Sequence, residues 1–181
     1  MKLNKIMLAA AMTFGIASLA QAADQGTGQL SFSGSIIDAP CSISSSTSKQ
    51  DIPLGDISKV ALTKKDGHST PAQISIKLEN CDFADAATGK LAKNNVSVTF
   101  NGAASTNDPK MLGVAGNASD VGIVFTDSIG KKIDLGTASE KMVLADDSTL
   151  NFNAYVQANN ATPNIVPGKF TAVANFQMAY E

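Results

Sequence analysis

The chain has no tryptophan and no arginine, one histidine and two cysteines in 181 residues. Each scarcity excludes something. Without guanidinium forks, and with lysines adjacent only at Lys64-Lys65 and Lys131-Lys132, no surface is set up to read phosphates, so nucleic acid is a poor partner. The formal net charge of −2 points the same way. His68 stands alone in a 64–70 stretch that reads as a loop. It cannot supply a histidine cluster for a metal, and no second group stands by to make it the base of a nucleophile, so it reads as a solvated side chain. Asp146-Asp147 and Asp82…Asp85 lack calcium-loop spacing and read as turn acids. The sequons at Asn95, Asn117 and Asn160 are a three-residue pattern that chance supplies easily. Neither a catalytic constellation nor a cofactor motif remains, so the chain reads as a non-enzyme that needs no metal and no cofactor.

What is present begins with a leader. Lys2 and Lys5 precede an apolar run over 6–16, and Ala20-Gln21-Ala22 forms a small-residue cleavage site, placing the cut between Ala22 and Ala23. The run is too short for a membrane span, and Ala23 is not the cysteine of a lipid-anchored protein. Residues 1–22 are therefore read as a signal peptide, and 23–181 as one exported domain. Cys41 and Cys81 both remain after cleavage, and an even count in an exported chain favours a disulfide. Their wide spacing is no C-x-x-C redox motif. A bridge closing that loop is worth roughly 4 kcal/mol by chain-entropy arithmetic.

Alternation at period two then dominates. Leu30/Phe32, Ile74/Ile76/Leu78, Val96/Val98/Phe100, Ile123/Phe125 and Leu150/Phe152/Ala154/Val156 all read as half-buried strands. Turn signals separate them at Asn101-Gly102, Asp108-Pro109, Gly116-Asn117, Ile129-Gly130 and Pro163-Asn164. Residues 57–63 alone suggest a helical turn, and the Ser-rich 42–48 reads as a surface loop. With no amphipathic helix to cover a parallel sheet, the pattern predicts a β-sandwich.

Two segments fit no self-sufficient sandwich. The chain ends FTAVANFQMAYE, with Phe170, Ala172, Ala174, Phe176, Met178 and Tyr180 on one face of a strand. Such an apolar strand needs a cover, yet the sequence stops one residue later. At the other end, Gly26, Gly28, Leu30, Phe32 and Gly34 share one parity in a second strand pattern. A loose tail would leave Leu30 and Phe32 in water, whereas glycines within a strand suit close approach to another backbone.

These residues resemble the subunits of chaperone–usher pili, and most closely the major shaft pilins of P-pilus type and of mannose-resistant Proteus-like fimbriae. The resemblance rests on Gly-x-Leu-x-Phe-x-Gly at 28–34, GSIIDAPCS at 34–42, Cys81 after Leu78-Glu79-Asn80, Gly168 fourteenth from the end, and the penultimate Tyr180. It implies an all-β fold, an incomplete immunoglobulin-like β-sandwich lacking its last strand. It implies that 23–34 is a donor-strand extension and 35–181 the pilin domain. Gly26, Gly28, Leu30, Phe32 and Gly34 then face a neighbouring subunit's groove, with Gly28 where that groove is narrow. Gly26 departs from the family in offering no apolar side chain where exchange starts. Gly168, Phe170, Ala172, Ala174, Phe176, Met178, Tyr180 and Glu181 form the groove edge that a periplasmic chaperone grips, with basic chaperone residues on the carboxylate of Glu181.

The implied function is a structural subunit of a fimbria on the bacterial cell surface. It is carried through the periplasm and polymerised at an outer-membrane usher with neighbouring copies as partners. Four alternatives stand beside it. An adaptor near the fimbrial tip would share the single-domain plan, whereas a tip adhesin would carry a receptor-binding domain in place of the extension. An exported non-catalytic binding β-sandwich is a further alternative, and an exported enzyme of copper–zinc dismutase type would need more histidines.

Overall fold

The computed structural model describes residues 28–84 and 93–181. The signal segment, the Ala22-Ala23 cleavage point, Gly26 and Asp85 lie outside the described residues. The chain divides into residues 1–36 and 37–181. In the first unit, 28–36 form no helix or strand, and Leu30 and Phe32 are 82% and 88% exposed. Their alternation predicts a strand, but a strand exists only against a neighbour, and none of the described residues pairs with this segment.

In 37–181 the elements run β1 (Ser42–Ile43), α1 (Lys59–Leu62), β2 (Ala72–Glu79), β3 (Asn95–Gly102), β4 (Leu112–Gly113), β5 (Ala115–Gly116), β6 (Val121–Asp127), β7 (Lys132–Ile133), β8 (Met142–Val143), β9 (Thr149–Ala158), β10 (Phe170–Thr171) and β11 (Ala174–Tyr180). All pairings are antiparallel. One sheet runs β1-β2-β9-β6-β4, with β7 also on β6, another runs β11-β3-β8, and β10 pairs with β5.

The period-two pattern explains which residues meet. Ile74, Ile76 and Leu78 of β2 and Leu150, Phe152, Ala154 and Val156 of β9 point into one core. Their ladder puts Ile74 opposite Phe152 and Ile76 opposite Leu150. Phe100 of β3 stacks on Phe125 of β6 with ring centroids 4.4 Å apart and meets the edge of Phe152 at 5.2 Å. That aromatic cluster bridges the two main sheets, and pairs of this kind add about 0.5–1.5 kcal/mol beyond area burial. β6 is buried over nearly its whole length because both its faces are covered: Met111, Val124 and Tyr155 form a small second cluster behind the sheet.

Three local expectations need correction. Asn101-Gly102 is no turn but the end of β3, opposite Asn175 and Ala174. A Cβ on Gly102 would stand 2.4 Å from Leu112 Cδ1 and 2.9 Å from the Val173 carbonyl oxygen, so glycine serves close packing there. The 42–48 segment is not all loop, since Ser42 and Ile43 pair with Glu79 and Leu78 before Ser44 caps a turn. The Leu30/Phe32 strand is the third. The helical turn falls inside 57–63 as expected, with Leu62 its one buried residue.

Candidate functional site

Burial along β11 locates the site. The strand pairs on one edge only, with β3, from Ala174 opposite Gly102 to Tyr180 opposite Val96. Glu181 extends that ladder: its N–H donates to the Asn95 carbonyl at 2.9 Å, and Asn95 N–H returns the bond at 3.0 Å. Among the described residues nothing pairs with the other edge of β11. The two sides of this ladder are buried unequally. Val96, Val98 and Phe100 are at most 3% exposed, while their partners Tyr180, Met178 and Phe176 pack on the same core only half buried. An apolar row left half in water beside an unpaired backbone edge is a sheet that ends one strand early.

The missing strand leaves a groove of about 1580 Å³. One wall is formed by 168–176, and the floor by Ile74, Phe100, Leu112, Ile123, Phe125 and Ala154. Residues 48–57 form the opposite wall, with Ile52, Leu54 and Ile57 half buried against the core. Sequence reasoning missed this second wall, although Ile52 and Leu54 carry the right alternation. Pro53 and Gly55 hid it, because they read as loop punctuation.

The expected edge residues separate into two groups. Gly168, Phe170, Ala172, Ala174 and Phe176 line the groove, whereas Met178, Tyr180 and Glu181 continue the strand beyond it. Gly168 has a steric reason: a Cβ there would lie 2.8 Å from the carbonyl carbon and Cβ of Asn117. Next to it, Lys169 accepts a hydrogen bond from Asn117 N–H at 2.9 Å, and Phe170 and Thr171 pair with Gly116 and Ala115. The last strand thus runs first along β5 and then along β3, changing partner at Ala172-Val173. Burial pushes the Tyr180 phenol above its usual pKa. The Glu181 side chain pairs with Lys141, an exposed contact of little energetic weight.

Cys41 and Cys81 are bonded, with Cα atoms 4.1 Å apart. The bridge pins β1 to β2 beside the Ser42–Glu79 pair, and Asp82 N–H donates to the Pro40 carbonyl at 2.8 Å. Asp82 serves a local turn, accepting from Ala84 N–H, whereas Asp147 reaches across the fold to accept from Cys81 N–H. His68 Nδ1 lies 2.7 Å from the Ser69 carbonyl oxygen, and its ring covers Tyr155 at 4.6 Å. Among the donor positions described, Gly28, Leu30, Phe32 and Gly34 are exposed, and a Cβ added at either glycine meets nothing within 4 Å.

The site is an apolar trough beside an unpaired backbone edge. It suits the uptake of an extended strand, main-chain hydrogen bonds supplying affinity and alternate side chains supplying register. Two antiparallel sheets over one core, with the closing strand absent, define an incomplete immunoglobulin-like β-sandwich. The chain belongs to the Fimbrial protein family, whose profile matches residues 30–181. It is 50% identical over 182 residues, covering both chains fully, to the Fimbria A protein of Serratia marcescens. It is 44% identical over 184 residues, again across both, to the Major MR/P fimbria protein of Proteus mirabilis. Among solved structures, the P pilus rod subunit PapA superimposes with a TM-score of 0.67 at 31% identity, covering 79% of this chain and 100% of that one. A chaperone–usher pilus structure gives 0.73 at 31% identity, covering 87% and 97%.

Proposed function

We propose that this chain is the major structural subunit of a bacterial surface fimbria, polymerised by donor-strand exchange. Residues 23–34 of one copy fill the groove of the next. Before that step, a periplasmic chaperone lends a strand to the same groove and delivers the subunit to an outer-membrane usher. The observation that carries the reading is the unpaired edge of β11 above a half-buried apolar row. Leu30 and Phe32 are its complement, two large apolar side chains in water on one parity of a segment with no strand partner. Burying each in a neighbour's groove would contribute roughly 1.5–3 kcal/mol. Similarity along the full chain to a protein named as a major fimbrial subunit supports a shaft position.

Gly28→Asn tests the reading, because an added Cβ at Gly28 meets no atom within 4 Å and a defect therefore has to arise between chains. A side chain entering a narrow stretch of a neighbour's groove costs strain and spoils register. The variant should co-purify normally with its chaperone while surface fibres disappear from electron micrographs. Normal fibres, or loss of the chaperone complex, would overturn the donor assignment.

A further inference from the structure

An open groove has a hazard that its walls make acute. Ile52, Leu54 and Ile57 on one wall and Phe170 and Phe176 on the other are only half buried and gain burial if the two walls move together, so the hydrophobic effect favours closing the groove before a strand arrives. The walls differ in their capacity to pair. β11 presents ANFQMAY, seven residues with no proline, glycine or charge, and is ready to template a ladder. The 48–57 wall holds no strand and turns half-buried Ile52, Leu54 and Ile57 toward the core between exposed neighbours, and among the described residues 49–57 make no backbone–backbone hydrogen bond. Pro53, exposed at its centre, has no N–H to give. Two residues on, Gly55 sits at φ +67°, where no strand residue lies, although a Cβ there would meet nothing within 4 Å. Packing therefore does not require glycine at 55; the backbone turn does.

We propose that Pro53 and Gly55 keep the 48–57 wall from zipping onto β11, so that the groove stays receptive to a supplied strand. The inference rests on the strand-uptake reading of the groove and adds the residues that hold it open. Proline and a broken ladder are known devices for blunting a sheet edge. Here they act on one wall while the facing wall is left bare, so the same groove resists its own closure and accepts a visitor.

The test uses Pro53→Thr combined with Gly55→Thr, which restores an N–H and disfavours positive φ. Mature chains with and without the double substitution, all carrying Leu30→Asp and Phe32→Asp so that their own extensions cannot fill a groove, are taken from their chaperone complexes with the disulfide intact, unfolded, refolded by dilution and held for a fixed delay. An excess of a peptide spanning residues 23–35 is then added, and the captured fraction is read by size exclusion. One added backbone hydrogen bond should lower the variant's captured fraction roughly two- to tenfold. Hydrogen exchange before peptide addition should show amides of 50–57 protected in the variant and free in the chain that keeps Pro53 and Gly55. Should the double variant yield no chaperone complex, Pro53→Thr alone, at an exposed position, gives the same comparison. Equal capture with equally fast exchange at 50–57 overturns the proposal. A chain that keeps Pro53 and Gly55 and captures no peptide at any delay overturns the groove reading itself.

Discussion

Phe32→Ala in the donor segment is the most direct measure of what the two chain ends do for each other. Phe32 is 88% exposed in its own chain, so truncating it removes no packing from the sandwich, and the thermal stability of that domain should not move. On the donor-strand reading the same ring becomes buried over a neighbour's groove, whose floor holds Phe100 and Phe125. Full burial of such a side chain is worth about 1.5–3 kcal/mol, and 1.4 kcal/mol corresponds to tenfold in affinity, so the loss should be roughly 10- to 150-fold. The assay takes chaperone–subunit complex and adds peptides spanning residues 23–35, reading at equilibrium the fraction of chaperone displaced. Leu30→Ala should cost a similar amount. Ser31→Ala and Ser33→Ala, on the opposite parity, should change displacement little, because alternate residues of a strand face away from the groove. A peptide series in which the serine changes weaken displacement as much as Phe32→Ala would refute the register. No effect at Phe32 would refute the burial.

The Cys41–Cys81 bridge closes a separation of 40 residues, so Cys41→Ser should cost about 4 kcal/mol, seen as a lower midpoint in denaturant titration of the chaperone complex and as reduced periplasmic subunit. Deleting Tyr180 and Glu181 removes the Tyr180–Val96 rung and the two Asn95 hydrogen bonds beyond it. That deletion should deplete the chaperone–subunit complex in co-purification, whereas Gly28→Asn should leave it intact.

The long elements were legible because they carry a period. β2, β3, β6, β9 and β11 each span seven to ten residues, enough for alternation to declare a buried face. β1, β4, β5, β7, β8 and β10 are two residues each, and no period exists in two residues. The Asn101-Gly102 pair misled for a different reason. Asn-Gly is the strongest short turn signal, but Gly102 is required by Leu112 and the Val173 carbonyl crowding its Cα, a tertiary constraint that no local pattern contains. The groove was half legible. Its β11 wall reads directly from the C-terminal alternation, while the 48–57 wall is set by a proline and a left-handed glycine, the residues that make a segment look like a loop.

The arrangement of the two ends also bears on the shape of what assembles. On the proposed reading, each chain carries a strand without a sheet at one terminus and a sheet without a strand at the other. The surface that gives and the surface that receives are different parts of the same molecule, so the contact is heterologous, not a self-complementary patch shared by two copies. A self-complementary contact saturates at a dimer, whereas a heterologous one leaves a free donor at one end and a free groove at the other after every addition. Unless the rotation between successive copies happens to close a ring, growth is open-ended and polar. A filament therefore follows from the placement of Leu30 and Phe32 at one end of the sequence and the unpaired edge of Ala174–Tyr180 at the other. On the same reading a free groove and a free donor in one compartment would begin that growth at once, which is the physical reason for a temporary strand to occupy the groove before assembly.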